Sequence, residues 1–139
     1  MSREINFRAW DNLLKKIRNV EVMCRHGGKM LVWRLWDEQI GLPPLPYPSD
    51  RFILMQFTGL KDKNGKDIYE GDIFKPFSEG INYYKVVFEK GCFGLHHNYG
   101  YWGTLGRFFE LANENKMEFE VEVIGNIFQN PELLETKKA

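Results

Sequence analysis

Four carboxylates lie close together near the middle of the chain and are its clearest candidates for metal chemistry. Within eleven residues the sequence places Asp62, Asp67, Glu70 and Asp72. Converging carboxylates are what a Mg²⁺ or Mn²⁺ site in a phosphodiesterase requires. However, Asp62 and Asp67 flank a charged turn that they would keep solvated, and the spacing lacks the alternating ligands and distal Glu of a calcium loop. We therefore predict no metal site and no cofactor, and keep these four residues as the candidates for a metal.

Two cysteines and three histidines supply the donor types of a tetrahedral zinc site. They occur as Cys24 with His26, and as Cys92 with His96 and His97. The spacings Cys-x-His and Cys-x₃-His-His differ from the signatures of structural zinc sites. No residue in the sequence marks either thiol as an activated nucleophile. We expect neither zinc binding nor cysteine catalysis.

Three lysines on the acidic segment could instead contact phosphate groups. The stretch KDKNGK carries Lys61, Lys63 and Lys66, and lysines on a projecting hairpin can bind a nucleic-acid backbone without reading its sequence. The whole chain has 19 Lys plus Arg and 19 Asp plus Glu, and this neutral balance argues against a broad electrostatic footprint for DNA or RNA. A regulatory nucleic-acid-binding function is therefore kept as an alternative.

An aromatic run between Phe93 and Phe109 could form a surface for a protein partner. The run mixes glycines with Tyr99, Tyr101 and Trp102. Aromatic residues with little charge nearby are typical of hot spots between proteins, whereas stacking on single-stranded nucleic acid also needs a basic track. The interpretation that we favour first is structural, namely that these aromatics fill the core of a small barrel. As a functional interpretation, we favour binding of a protein partner or self-association.

Composition limits the class of protein. A chain of 139 residues with 15% aromatic and 27% charged residues is predicted to fold as a single globular domain over residues 1–139. No apolar run approaches the roughly 20 residues of a membrane helix, and the first residues do not resemble a signal peptide. Two cysteines fit a reducing compartment better than a disulfide framework. We expect a cytoplasmic protein with no membrane partner.

The elements that must position these residues are predicted to be mostly strands. The Asn64-Gly65 pair predicts a hairpin turn, residues Gly103–Asn115 a short helix, and Ile124-Gly125 a bulge or bend. Four of the six prolines fall in Gly41–Ser49, which is predicted to be a semi-rigid connector inside the domain. Apolar alternation and β-branched or aromatic composition predict strands at Glu4–Trp10, Ile17–Met23, Lys29–Trp36, Arg51–Phe57, Gly71–Phe77, Tyr83–Glu89, Phe93–Tyr99 and Glu118–Val123.

Short strands at regular spacing predict an all-β or β-dominated α+β fold. We expect a small antiparallel barrel, SH3-like or similar, with an N-terminal hairpin and one short helix. Pro131 is expected to begin a terminal turn.

Three segments together resemble the YopX family of phage and prophage proteins. They are REINFRAWD at Arg3–Asp11, LMQFTGLKDKNGKDIYEGDI at Leu54–Ile73 and VIGNIFQNPELL at Val123–Leu134. The resemblance implies a small β-rich protein encoded by a bacteriophage or an integrated phage genome, in the cytoplasm of the bacterial host cell. It implies no catalytic residues, because the family has no accepted activity.

These observations favour a non-enzymatic protein-binding or assembly module. A nucleic-acid-binding regulatory protein is the first alternative, and a metal-dependent phosphodiesterase is the second.

Overall fold

The computed structural model describes residues 3–35, 51–77, 79–114 and 121–135. Backbone contacts divide the chain into two compact units, Met1–Phe57 and Thr58–Ala139. The described residues form mainly antiparallel β-strands, with one α-helix and one 3₁₀ helix. The predicted β-dominated fold is confirmed.

The first unit is an antiparallel sheet. Its strands are β1 (Phe7–Asp11), β2 (Lys16–His26), β3 (Lys29–Leu35) and β4 (Phe52–Lys61). The strand order is β3-β2-β1-β4, and the last residues of β4 belong to the second unit. Asn12 to Lys15 form the turn between β1 and β2, and Gly27-Gly28 form the turn between β2 and β3 with φ values of +58° and +79°. Glycine adopts such angles without steric cost.

Strand β1 buries polar as well as apolar side chains. Arg8 and Asp11 are buried together with Ala9 and Trp10. Burial of Asp11 is possible because it forms ion pairs with Arg18 and Arg51. Alternation of residue types alone did not reveal that the charged positions pair internally.

The strands of the second unit are β5 (Asp67–Tyr69), β6 (Asp72–Phe74), β7 (Tyr84–Glu89), β8 (Cys92–His97), β9 (Gly100–Thr104) and β10 (Val123–Asn126). Five of them form a sheet with the order β10-β6-β7-β8-β9. The remaining strand, β5, is the neighbour of β4. The 3₁₀ helix Pro131–Leu134 follows the last strand and confirms the predicted terminal turn.

Helix α1 (Leu105–Glu114) begins directly after β9 and supplies the centre of the core. The Thr104 hydroxyl accepts a hydrogen bond of 3.2 Å from the Arg107 N–H, which satisfies a donor of the first turn. The Phe108 ring lies 5.4 Å from the Tyr84 ring and 5.2 Å from the Trp102 ring. The helix is thus fixed by aromatic packing against the sheet.

Several local predictions are confirmed. Gly65 has a φ of +79° within the turn between β4 and β5, and the pairing of β10 with β6 shifts register between Val123 and Gly125. Within the described ranges the strands form two sheets and no closed barrel. Of the predicted strand at Glu118–Val123, residues up to 120 lie outside the described residues, as does the Gly41–Ser49 connector.

Among the residues that the structure describes, no helix has the length and apolar character needed to cross a membrane.

Candidate functional site

Asp62 organises the turn between β4 and β5. The N–H groups of Asn64 and Lys66 each donate to its Oδ1 at 2.9 Å, and the Val123 N–H donates to its Oδ2 at 3.1 Å. Burial alone would raise the pKa of the Asp62 carboxyl. The hydrogen bonds from these three N–H groups and the charge of Lys66 outweigh burial and hold the pKa below its usual value. Both oxygens of this candidate metal ligand are therefore engaged with backbone donors.

The other three acidic candidates occupy separate positions in the second unit. Asp72 is buried at the start of β6, and its Oδ2 accepts a hydrogen bond of 2.9 Å from the Tyr69 N–H. Asp67 forms a surface ion pair of 2.8 Å with Lys61, and Glu70 lies in the turn after β5. In residues 3–35, 51–77, 79–114 and 121–135, no three His, Cys, Asp or Glu side chains are grouped closely enough to hold a metal ion.

Each lysine of the candidate phosphate-binding arm lies beside a carboxylate. Lys61 pairs with Asp67, and the Lys63 Nζ lies 3.9 Å from a carboxylate oxygen of Glu122. The charge of Lys66 acts on Asp62. Because opposite charges alternate on this hairpin, its net attraction for a polyanion is small.

The thiols and imidazoles considered for zinc are not grouped in the described part of the second unit. The Cys92 Sγ lies 3.7 Å from the Glu89 carbonyl oxygen, and the His96 Nε2 lies 2.9 Å from the Glu89 Oε1. Side chains of Cys24 and His26 lie outside the described residues.

The aromatic run divides between surface and core. The side chain of Tyr99 is 76% exposed and that of Tyr101 is 49% exposed. Trp102 packs edge-on against Phe108 and is partly buried in the core, so it is not part of the exposed pair. We call the exposed pair, Tyr99 and Tyr101, the tyrosine surface.

Strand pairing explains where Tyr101 points. In the β8–β9 pair Tyr101 is opposite His96, and a bulge places Gly103 opposite the adjacent Leu95. The Tyr101 ring lies over Gly94. A Cβ added to Gly94 would be 2.9 Å from the Cε2 atom of Tyr101. Its ring centroid is 5.4 Å from that of His96 in an edge-on arrangement. The tyrosine is thus supported by β8 on one side while its other side is accessible.

Tyr99 is placed by a hydrogen-bonded turn. Its N–H donates to the His97 Nδ1 at 3.0 Å, and the His97 ring packs edge-on against Tyr84. The neighbouring Asn98 accepts a hydrogen bond of 2.9 Å from the Asn82 N–H. These contacts order the turn in the free protein. A partner that binds there would therefore not incur the entropic cost of ordering it.

A buried ion-pair cluster in the first unit was missed by the sequence reasoning. The Asp11 carboxylate accepts hydrogen bonds from the Arg51 Nε and NH2 at 3.0 and 2.9 Å and from the Arg18 NH1 at 3.1 Å. The N–H groups of Leu13 and Leu14 also donate to Asp11 Oδ1. The local signal was an Asp immediately before a turn, a position that favours such side-chain to backbone bonds. We assign the cluster a structural role, because its charged groups form hydrogen bonds and ion pairs with one another.

Comparisons with known proteins agree with this architecture. The sequence model of the family described as YopX protein matches residues 6–135. The fold is similar to the crystal structure of protein EF1440 from Enterococcus faecalis, with a TM-score of 0.64 and 28% sequence identity over 96% of this chain and 100% of that one. No curated protein matches the chain significantly.

Proposed function

The chain belongs to the YopX family, and from this premise we propose that it is a non-enzymatic protein-binding or assembly module of a bacteriophage or prophage. We place its action in the cytoplasm of the bacterial host cell. The observation that carries the proposal is the exposure of two ordered aromatic side chains, Tyr99 and Tyr101, beside one turn of a rigid sheet.

The chemistry of the tyrosine surface favours a protein partner. Tyrosine offers a large apolar ring with a hydroxyl that can hydrogen-bond, and it is enriched among residues that dominate binding energy between proteins. The adjacent His96 and Glu89 form a polar pair of 2.9 Å, which suits the polar rim of an interface. Strand β9 itself carries no charged residue, so a partner could cover it without desolvating an ion.

The two alternatives have less support from the geometry. Nucleic-acid binding through Lys61, Lys63 and Lys66 would have to compete with the carboxylates beside them. A metal-dependent phosphodiesterase would need Asp62 to exchange its three backbone donors for a cation. Binding through the tyrosine surface requires neither rearrangement.

Site-specific photocrosslinking tests the proposal. A photoreactive phenylalanine analogue is placed at Tyr101 in phage-carrying bacterial cells, and adducts are identified by mass spectrometry. The matched control is the same analogue at Phe88, which is 52% exposed but pairs with Phe93, so it lies on the opposite face of the sheet. We expect one reproducible protein adduct from position 101 that position 88 does not give.

Truncation of the same side chain measures its contribution. Tyr101→Ser should weaken binding of the identified partner by roughly thirtyfold or more, the effect of losing a hot-spot side chain. Equal adducts from both positions, or a truncation that leaves affinity unchanged, would contradict the assignment of this surface. A salt-dependent gel shift with DNA or RNA that is lost in Lys63→Ala would favour the nucleic-acid alternative.

A further inference from the structure

The turn between β1 and β2 exposes two adjacent leucines in the first unit. Leu13 is 68% exposed and Leu14 is 50% exposed, and the exposed Lys15 and Lys16 follow them. We call these four residues, Leu13 to Lys16, the leucine tip. An exposed apolar pair beside two cations has the composition of an interaction element.

The leucine tip is held rigidly by the buried Asp11. The Oδ1 atom of Asp11 accepts hydrogen bonds from the N–H groups of Leu13 and Leu14 at 2.9 and 3.1 Å, and its backbone carbonyl accepts one from Lys15 at 2.7 Å. Lys15 adopts a φ of +54°, a conformation uncommon for a residue other than glycine. The conformation of the tip is therefore fixed before any partner binds, which lowers the entropic cost of binding.

The residue types of this turn do not follow from folding requirements. Turns favour Gly, Asn, Asp, Ser and Pro, whereas this one places two leucines in solvent and a lysine at positive φ. Local choices that conflict with the fold occur preferentially at functional positions. The leucine tip is therefore better explained by a contact than by the stability of the turn.

Charge is distributed unequally between the two units. Residues 1–57 contain nine Lys plus Arg and six Asp plus Glu, whereas residues 58–139 contain ten and thirteen, so the formal charges are +3 and −3. A cationic tip is attracted to a surface with excess carboxylates. In a second copy of this chain, the unit of residues 58–139 carries that excess as net charge.

That acidic unit also contains an apolar pocket of suitable size. The pocket has a volume of about 350 Å³, and its lining includes Leu60, Phe93, Leu105 and Gly106. Truncation of one buried large side chain can leave a dry cavity of about 150 Å³, so the pocket has room for two leucine side chains.

We infer that the leucine tip of one copy docks into this apolar pocket of a second copy. The inference rests on the proposed role as an assembly module and names its partner, but it does not involve the tyrosine surface. Reciprocal docking would give a closed dimer, and docking in one direction would give a longer chain of copies.

Sedimentation velocity of the purified full chain over a range of concentrations tests the inference. The wild-type protein should associate, and L13S/L14S should raise the dissociation constant at least about tenfold, because one buried leucine alone contributes that much. Ile5→Ser is the control, since Ile5 is an exposed aliphatic residue of the same unit, and it should associate like the wild type. Charge reversal by Lys15→Glu should weaken association at low salt.

A second variant blocks the pocket without disturbing the fold. A Cβ added at Gly106 meets no atom within 4 Å, so Gly106→Met should fill the pocket from the first turn of α1. This variant should be monomeric alone, as should L13S/L14S. An equimolar mixture of the two should associate again, because one brings an intact tip and the other an intact pocket.

Four results would each overturn the inference. They are a wild-type monomer at all concentrations, a leucine-tip variant that associates normally, a mixture that stays monomeric, and association of Lys15→Glu at low salt equal to that of the wild type. None of these results bears on the crosslink from Tyr101, so failure of the leucine tip is distinguishable from failure of the proposed function.

Discussion

Replacement of Asp11 by asparagine should destabilise the first unit strongly. Its carboxylate is fully buried and contacts Arg18 and Arg51 at 2.9 to 3.1 Å. Removing one partner of a buried ion pair costs about 3–5 kcal/mol, because charge remains in the interior without its counter-charge. Arg51 is partly exposed and can regain water, so we expect the lower end, a loss of about 3 kcal/mol in the free energy of unfolding.

The same variant should change the pH dependence of stability. Burial alone would raise the pKa of Asp11, but hydrogen bonds from Arg51, Leu14, Arg18 and Leu13 outweigh it and hold the pKa far below its ordinary value. A lowered pKa in the folded state stabilises the protein above the unfolded-state value of about 4, and this stabilisation is lost as the pH falls further. Asp11→Asn should lack this component of acid destabilisation.

Urea denaturation at neutral pH and at about pH 3 measures both effects. The control is Asp67→Asn, whose ion pair with Lys61 is at the surface and should contribute no more than about 1 kcal/mol. The reasoning would be refuted if Asp11→Asn lost less than about 1 kcal/mol, or if its stability fell with acid as steeply as that of the wild type.

Three further predictions concern the second unit. Gly125→Ala should destabilise the second unit by about 1–3 kcal/mol, because the new Cβ would lie 2.4 Å from the Asn130 Oδ1. In contrast, Gly106→Ala should stabilise α1 by up to about 1 kcal/mol. Thermal unfolding of the two variants measures both effects. Asp62→Ala should lower the free energy of unfolding by about 2 kcal/mol or more, since three N–H groups lose their acceptor, whereas Asp67→Ala should change it little in the same denaturation experiment. Addition of Mg²⁺ or Mn²⁺, or of a chelator, should leave the melting temperature unchanged, and a rise with either metal would revive the acidic candidates as ligands.

Local signals were sufficient for much of the second unit. Asn64-Gly65 marked the turn between β4 and β5, where Gly65 has a positive φ and Asn64 does not. The change of pattern at Ile124-Gly125 marked a register shift that the β10–β6 pairing contains. Strand β9 was missed because GYWGT has two glycines and no apolar alternation. Its conformation is imposed by pairing with β8, which is a tertiary effect.

The sites were harder to predict than the strands because their contacts join distant residues. Asp11 meets Arg51 across 40 positions of sequence, and Asp62 meets Val123 across 61. Proximity in the sequence made Asp62 and Asp72 candidates for one metal site, whereas each carboxylate orders its own turn. Likewise, Trp102 is aromatic like the neighbouring tyrosines, but it contacts Phe108 and is therefore partly buried in the core.

The Asn64-Gly65 turn has a consequence for the chemical lifetime of the protein. An asparagine before glycine is prone to deamidation, in which the glycine nitrogen attacks the asparagine side chain to form a cyclic imide. Here the Gly65 N–H donates to the Asp62 carbonyl at 3.0 Å, and the Asn64 N–H is held by the Asp62 carboxylate. The folded hairpin therefore restrains the nucleophile, and slow ageing at this dipeptide should report how often the hairpin opens.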